Sequence, residues 1–416
     1  MRFVLIGAGQ RGTIYAQYAQ KKGHEITAVA DTDPVRRAIA AREFGIPEEK
    51  CFSSGEALLA QPRMGEAAII ATMDRDHFRE AVPAMEKGYH LLLEKPISPL
   101  PEETLAIEKT AERTGKHVTV CHVLRYSPFF REIRKAIADG KIGRVITIQH
   151  NENIGNFHIA HSFVRGNWRR SDLSSPLIMQ KSCHDMDLLV WLAGSRCNSI
   201  ASFGDLTYFR KENAPEEAAE RCCDCLLKDT CRFSAYRCYL PLAGNWPATV
   251  LTDDQSETGL REAIRSGPYG RCVYHCDNDV CDHQVSILRF ENGITATFNL
   301  SGFTNRMTRT LKIMGEDGEI RASEAENIIE ITRFAANSTE KSESEIIRPE
   351  LALSGHSGGD SGIVEDFLGM LEGKGSVSAT EIHESVESHM MACAAEQARL
   401  TGTVVKLAEF RRQWEK

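Results

Sequence analysis

The sequence predicts an α/β protein in two parts. A doubly wound parallel sheet comes first, and an α+β part with a largely antiparallel, open sheet follows. Three observations predict this. Over the first 120 residues, apolar strand-like runs alternate with helix-like segments, a pattern that needs right-handed crossovers and parallel strands. From residue 282 the strand-like runs follow one another directly, and Asn292-Gly293 between two of them is a hairpin signal. At 416 residues the chain is long enough for two or three substantial cores.

Taken in order, residues 3–6 form the first predicted strand and 13–22 the first helix. Residues 26–30 read as a strand, and 34–44 as a helix with Asp33 as N-cap and Pro34 in its first turn. A buried strand at 67–71 precedes a helix over 77–87 that Gly88 stops. A strand at 90–93 runs into Glu94-Lys95-Pro96, a helix over 102–114 stops at Gly115, and 117–120 is a further strand. Sheets of this kind bind ligands beyond the carboxyl ends of their strands. Asp31, Ala71-Thr72-Met73, Glu94-Lys95-Pro96 and Cys121-His122 are therefore expected at one mouth. The first domain is read as 1–122 and the second as 123–416. In the second, a helix is predicted over 128–139 and a strand over 144–150. Strands follow at 284–290, 294–300, 310–314, 319–322 and 328–333, then a polar loop over 336–350. Helices over 361–371 and 380–399 and a strand at 404–406 close the chain.

The first strand leads into Gly7-Ala8-Gly9-Gln10-Arg11-Gly12. Gly7 permits the tight turn, Gly9 lets the backbone approach a pyrophosphate, and Gly12 allows close helix–strand packing. The pyrophosphate is expected on the N–H groups at the start of the helix near Arg11. Asp31 follows Gly12 by 19 residues, where a carboxylate accepts hydrogen bonds from ribose hydroxyls. It repels a 2′-phosphate, and the neighbouring Thr32-Asp33 supplies no cation, so NAD is favoured over NADP.

With Thr72 to His77, Glu94-Lys95-Pro96 and His184-Asp185-Met186-Asp187 added to the glycine loop, most of the chain resembles the Gfo/Idh/MocA family of NAD(P)-dependent oxidoreductases. The resemblance implies a Rossmann domain followed by an α/β domain whose open sheet builds homo-oligomers, dimeric or tetrameric. It also implies hydride transfer at one carbinol carbon of a sugar, inositol or related polyol. A minority branch oxidises a sugar transiently so that a glycosidic bond can be eliminated. On this reading Gly7, Gly9, Gln10, Arg11, Gly12, Asp31, Thr72, His77, Glu94 and Lys95 serve the cofactor, with His77 anchoring the loop after Thr72.

The chemistry requires a group to move the hydroxyl proton and another to stabilise charge developing on oxygen. Lys95, just past a strand at the cleft mouth, and His184, whose imidazole titrates near neutrality, are the catalytic candidates. Gln180, His184 and Asp187 share one helix face, in a segment capped by Gly194. Many members of the family carry an Asp where this chain has Gln180, and Gln cannot take a proton. Gln180, Lys181, His184, Arg125, Tyr126 and Trp168 are the expected substrate contacts. His161, Arg169 and the loops 277–279 and 355–360 are further polar candidates.

Residues 211–281 read as an insertion holding eight of the thirteen cysteines. Cys222-x2-Cys225 followed by Cys231 has zinc-like spacing, and Cys272 or Cys276 would complete a tetrahedron. The expected structural zinc set is Cys222, Cys225, Cys231 and Cys276, with free thiols or an iron–sulfur cluster as alternatives.

Composition narrows the partners. A net charge of −8 argues against nucleic acid or an anionic membrane surface. No run reaches the roughly 18 apolar residues of a membrane span. The N-terminus is already used as a strand, and the cysteine usage suits a reducing compartment, so a cytoplasmic location is expected. The leading function is an NAD-dependent sugar or polyol dehydrogenase. The runner-up is an NAD-dependent glycoside hydrolase, and the third reading is a non-catalytic NAD sensor, which has no need of Lys95 and His184.

Overall fold

The structure is a computed structural model that describes residues 1–337, 339–350, 355–375 and 380–415. Its first sheet comprises β1 (Arg2–Ile6), β2 (Glu25–Ala30), β3 (Cys51–Phe52), β4 (Ala67–Ile70), β5 (His90–Leu93) and β6 (Val118–Val120). All pairings are parallel, in the order β3-β2-β1-β4-β5-β6. The strand order reverses between β1 and β4, which opens a crevice at their carboxyl ends. Helices on both faces explain why β1, β2 and β4 read as continuous apolar runs rather than alternating ones.

Helix α1 (Gln10–Lys21) starts three residues earlier than expected, because Gly9 is its N-cap and Thr13 N–H already bonds the Gly9 carbonyl at 3.0 Å. Helix α2 (Pro34–Phe44) begins as read: the Asp33 side chain accepts from Val35 and Arg36 N–H, and Gly45 closes the helix at φ +69°. Helices α3 (His77–Glu86) and α4 (Pro101–Thr114) complete the crossovers.

The second sheet has nine strands. They are β7 (Val145–Asn153), β8 (Cys197–Asp205), β9 (His283–Phe290), β10 (Thr295–Ser301), β11 (Thr308–Gly315), β12 (Gly318–Ser323), β13 (Ile328–Arg333), β14 (Glu343–Ile347) and β15 (Val405–Lys406). The order is β14-β13-β12-β11-β7-β10-β9-β8-β15, antiparallel except where β7 lies parallel to β10. Two strands of this sheet correct the sequence reading, as does β3 of the first sheet, which carries no predicted strand. β8 carries no predicted strand, and β14 lies within the stretch read as a polar loop. An edge strand needs only backbone pairing on one side, so β14, exposed over residues 343–346 and apolar only at Ile346 and Ile347, lacks an alternating apolar signal.

Helices α5 (Leu177–Ala193) and α7 (Ile382–Thr401) cover one face of this sheet. On the other face Phe203, Val285 and Ile287 are 65%, 43% and 55% exposed. Helix α6 (Gly359–Leu371) returns to the first sheet, where Ile363 and Phe367 share a core with Phe3, Leu5 and Tyr15. Among the described residues no helix is long and apolar enough to cross a membrane.

Candidate active site

The glycine loop is shaped by two close approaches. Gly7 sits at φ +88°, and a Cβ there would lie 2.5 Å from the Ala71 carbonyl oxygen. A Cβ on Gly12 would lie 2.0 Å from the Gly7 carbonyl oxygen, so α1 could not pack so tightly on β1. Gly9, by contrast, has only Arg36 Nη1 near its Cβ position, at 4.0 Å. No side chain caps α1 and no acid stands in its first turn, so its leading N–H groups are donors suited to an anion. Asp31 is stitched to the same loop: its carboxylate accepts from Ala8 N–H at 2.7 Å and Asp33 N–H at 2.8 Å. Each oxygen retains acceptor capacity for a ribose hydroxyl. Arg36 is a cation that a search of Thr32-Asp33 alone misses. It reaches the loop from the first turn of α2 and pairs with Asp33 at 3.5 Å.

Between the two sheets lies a cleft of about 300 Å³, walled by Gln10 and Arg11 on one side and by α5 on the other. Lys95 enters it from the end of β5, and its ammonium donates to the Gln180 carbonyl at 3.0 Å. The Lys95–Pro96 bond is cis. Glu94 is buried beneath and accepts from Arg11 Nε at 2.9 Å, Tyr15 OH at 2.8 Å and Lys95 N–H at 2.6 Å. Burial by itself would raise this carboxyl. Arg11 and Lys95 outweigh that and hold it below the usual carboxylate range. Arg11 also bonds both oxygens of Asp360, at 2.7 and 2.9 Å. Of the 355–360 loop, the side chains of residues 356 and 357 lie outside those described. Glu94 and Arg11 thus form a rigid floor, and the Glu94 carboxylate is turned inward. His77 is fully buried, with Nδ1 2.7 Å from the Pro96 carbonyl oxygen and Nε2 3.3 Å from that of Thr72. It joins the loops after β4 and β5.

Thr72 donates to Glu80 at 2.6 Å. Burial pushes the Glu80 carboxyl up to about 7, against the Thr72 hydrogen bond, which lowers it. The folded chain therefore binds this proton more tightly than the unfolded one, whose carboxyl titrates near 4.5. Its contribution is present below the unfolded value and lost as pH rises to 7. Against Glu80→Gln, the wild-type protein is expected to lose about 3 kcal/mol between pH 4.5 and 7, read from paired unfolding curves. A constant difference across that range would refute the shift.

Helix α5 starts at Leu177, two turns before His184, where the sequence pattern alone begins it, and presents Gln180, Lys181 and His184 to the cleft. The Gln180 amide nitrogen donates to Ser174 Oγ at 2.7 Å and to the Ser175 carbonyl. Those serines are held by Asp74 at 3.2 and 2.9 Å, a buried cleft residue without a sequence signal. The Gln180 side-chain oxygen is left buried with no hydrogen-bond partner among the described residues. Lys181 pairs with buried Glu152 at 3.3 Å. Glu152 pairs with Arg309 at 2.7 Å, and Arg309 with Asp185 at 2.7 Å, which His150 meets at 2.6 Å. Burial would raise Asp185, but Arg309 and His150 hold it below its usual range. His184 is 7% exposed, and its ring packs edge-on to His122 at 5.6 Å.

The outer wall comes from a π-helical turn (Ile159–Arg165) and the loop after it. Phe163 and Trp168, 6.4 Å apart, line the cleft, and His158 joins them. Burial, with Lys181, His161 and Lys95 nearby, holds His158 well below its ordinary value, so the ring is neutral. His161, the candidate from sequence, faces away. It stacks on Tyr269 at 4.7 Å and meets Tyr239 OH at 3.0 Å.

Two other expectations are displaced. Arg125, 1% exposed, makes two 2.7 Å bonds to Asp187 and one of 2.9 Å to Glu384. Tyr126 bonds Asp366 at 2.8 Å and Thr380 at 2.9 Å. Both knit the two parts of the chain together beneath the cleft and do not line it. Arg169 and the 277–279 loop pair with each other at 2.7 Å. The cysteine set also needs correction. Among the described residues no three metal-ligating side chains stand together as a site. Cys276 turns its thiol back onto the Cys272 carbonyl at 3.2 Å.

Two sequence profiles match the chain. One, described as "Oxidoreductase family, NAD-binding Rossmann fold", covers residues 1–122. The other, "Oxidoreductase family, C-terminal alpha/beta domain", covers 134–407. YteT of Bacillus subtilis, provisionally named an oxidoreductase, is 28% identical over 83% of this chain and 82% of its own length. An inositol 2-dehydrogenase of Corynebacterium glutamicum is 28% identical over 48% of this chain and 56% of its own length. Among solved structures, an Agrobacterium radiobacter oxidoreductase in complex with NAD+, L-tartaric acid and magnesium superposes with a TM-score of 0.70. It shares 16% identity, with 98% of this chain and 99% of that one covered. The WlbA dehydrogenase of Bordetella pertussis, in complex with NADH and UDP-GlcNAcA, gives a TM-score of 0.65 at 18% identity, with 98% of each chain covered.

Proposed function

The chain belongs to the Gfo/Idh/MocA oxidoreductase family, and from that premise we propose that it is a dehydrogenase of sugars or polyols that uses NAD. One observation carries the reading: Lys95, Gln180 and His184 meet in a single cleft whose opposite wall is Gln10 and Arg11 of the glycine loop. The residues fit a dinucleotide. Gly9 is open, the first N–H groups of α1 have no side-chain cap, and Asp31 sits at the ribose end. When bound, the nicotinamide supplies the hydride acceptor. His184 takes the hydroxyl proton, and the Lys95 ammonium stabilises the negative charge that develops on the oxygen. The Gln180 oxygen accepts from a neighbouring hydroxyl, which satisfies a buried acceptor. Phe163 and Trp168 offer apolar faces to the C–H side of a sugar ring.

The runner-up, elimination of a glycoside after transient oxidation, needs a further base to remove a carbon-bound proton. The two carboxylates in the cleft wall, Asp74 and Glu94, are both held by internal hydrogen bonds. This favours the dehydrogenase. Incubation with NAD and either free sugars or aryl glycosides separates the two. NADH accumulating with the free sugar supports net oxidation, and aglycone release without NADH would overturn it.

NAD is preferred over NADP on the strength of Asp31, with Arg36 engaged by Asp33. Asp31→Ala is expected to weaken NAD by roughly 10- to 100-fold, and NADP much less. Equal losses in a titration of both nucleotides would show that Asp31 only braces the loop. The apolar outer face of the second sheet, around Phe203 and Ile287, supports a homo-oligomer. The reducing setting read from the cysteines supports a cytoplasmic location.

A further inference from the structure

The cysteine-rich insertion carries a second constellation that the cleft does not use. Its private core is small: Leu260, Ile264, Ala235, Ala248, Tyr239 and Tyr269 are its main buried apolar members. Its longest helix is ten residues (Glu257–Ser266). Its other buried residues, among them Phe233, Val273, Tyr274 and Val280, pack on the main core instead. The outlying part therefore has little apolar burial of its own, and loop-rich segments of this kind are commonly stapled.

The backbone brings four cysteines to the walls of one void. Arg221 and Arg271 form an antiparallel bridge, flanked by Cys222 N–H to the Gly270 carbonyl and Cys272 N–H to the Glu220 carbonyl, both 2.9 Å. Cys222 and Cys272 are each one step from the bridged pair, so by the period-two alternation of strands both side chains leave the same face. A tight turn then returns Cys225 toward Cys222, and a second turn adds Cys231. All four line one void of about 20 Å³, room for a single water-sized sphere.

Two further features point to what this void receives. Backbone N–H groups of Ala235 and Phe233 are aimed at the sulfurs of Cys222 and Cys231, each at 3.4 Å. And Arg165, 1% exposed, borders the same void. Its partners are two carbonyl oxygens at 2.7 Å, the Cys222 sulfur at 3.7 Å and the Tyr239 hydroxyl. Among the described residues no carboxylate pairs with it. A buried guanidinium without an anion is costly. Neutral thiols do not relieve that cost, whereas thiolates do.

We propose that Cys222, Cys225, Cys231 and Cys272 hold one structural zinc ion, with Arg165 as its buried counter-charge. Each thiol gives its proton to solvent and its sulfur lone pair to the ion, with no change of oxidation state. Four thiolates around one divalent cation leave two negative charges, and the guanidinium and the two N–H groups meet them. Among the described residues no three metal-ligating side chains are grouped to hold an ion as they stand, so binding draws the four sulfurs inward from the walls of the void they line. Cys272, and not Cys276, is the fourth ligand. The site braces the π-helical turn from behind, since Arg165 ends the turn that presents Phe163 to the cleft.

The test uses the full chain, purified without chelator. Elemental analysis is expected to find about one zinc per chain, and replacement by cobalt(II) to give the thiolate charge-transfer and tetrahedral d–d bands. Cys272→Ser should lose metal and bands, and Cys276→Ser should keep both. Should Cys272→Ser fail to fold, the cobalt spectrum of the wild type and the Cys276→Ser protein decide the matter. A metal-free wild type that gives no cobalt bands overturns the proposal. So does a brown iron–sulfur protein, or equal metal loss in the two variants.

Discussion

Lys95→Met is expected to lower kcat by roughly 10³-fold or more, the range for losing a group that stabilises charge in the transition state. Affinity for NAD should stay essentially unchanged. Methionine keeps the apolar stem and removes only the ammonium. With the ammonium goes its 3.0 Å hydrogen bond to the Gln180 carbonyl, a change of about 1 kcal/mol. Among the described residues no hydrogen bond joins Lys95 to the Gly7–Gly12 turn or to Asp31. Its link to the turn runs through Glu94, which Arg11 still grips at 2.9 Å, so the nucleotide end of the cleft is expected to change little. The check is a pair of measurements on one preparation: turnover on a free sugar or polyol that the wild type oxidises, and NAD binding by calorimetry. Retained turnover would remove Lys95 from the chemistry. Parallel loss of NAD affinity would make it a cofactor contact instead.

The second large effect falls on stability. Arg125→Met leaves Asp187, 1% exposed, as a buried carboxylate without the guanidinium that grips both its oxygens at 2.7 Å. Breaking one side of such a pair costs about 3–5 kcal/mol, since the remaining charge keeps its desolvation penalty. Glu384 loses its 2.9 Å partner as well, but it lies half in solvent and adds little. Chemical denaturation should show the loss directly. The folded fraction of the variant is expected to keep its KM, because Arg125 does not line the cleft. A raised KM at unchanged stability would return Arg125 to the substrate site, where the sequence pattern puts it.

That misplacement shows how far local pattern reaches. Arg125 and Tyr126 follow the last strand of the parallel sheet, where a residue can face the crevice or the interior. The choice depends on Asp187, Glu384 and Asp366, which lie 62, 259 and 240 positions away. His158 and His161 present the same difficulty. They are three residues apart on one helical stretch. Only the π-helical turn and the Tyr239 and Tyr269 rings decide that the first lines the cleft and the second does not.

What the sequence determined by itself is whatever short-range spacing controls: the order of most strands and helices, the Gly7–Gly12 turn, and the Asp33 cap. Lys95, Gln180 and His184, the positions proposed for the chemistry, were also read from short-range spacing, and all three line the cleft. The tertiary structure alone decided three other things. It turned the Glu94 carboxylate inward to Arg11 and Tyr15. It placed Asp74 and Arg309 at the cleft wall, and it put Cys272 rather than Cys276 beside the other thiols. The physical reason is common to all three. Spacing along a helix or strand sets which residues share a face, but buried charges and thiols take the partners that packing delivers from distant segments.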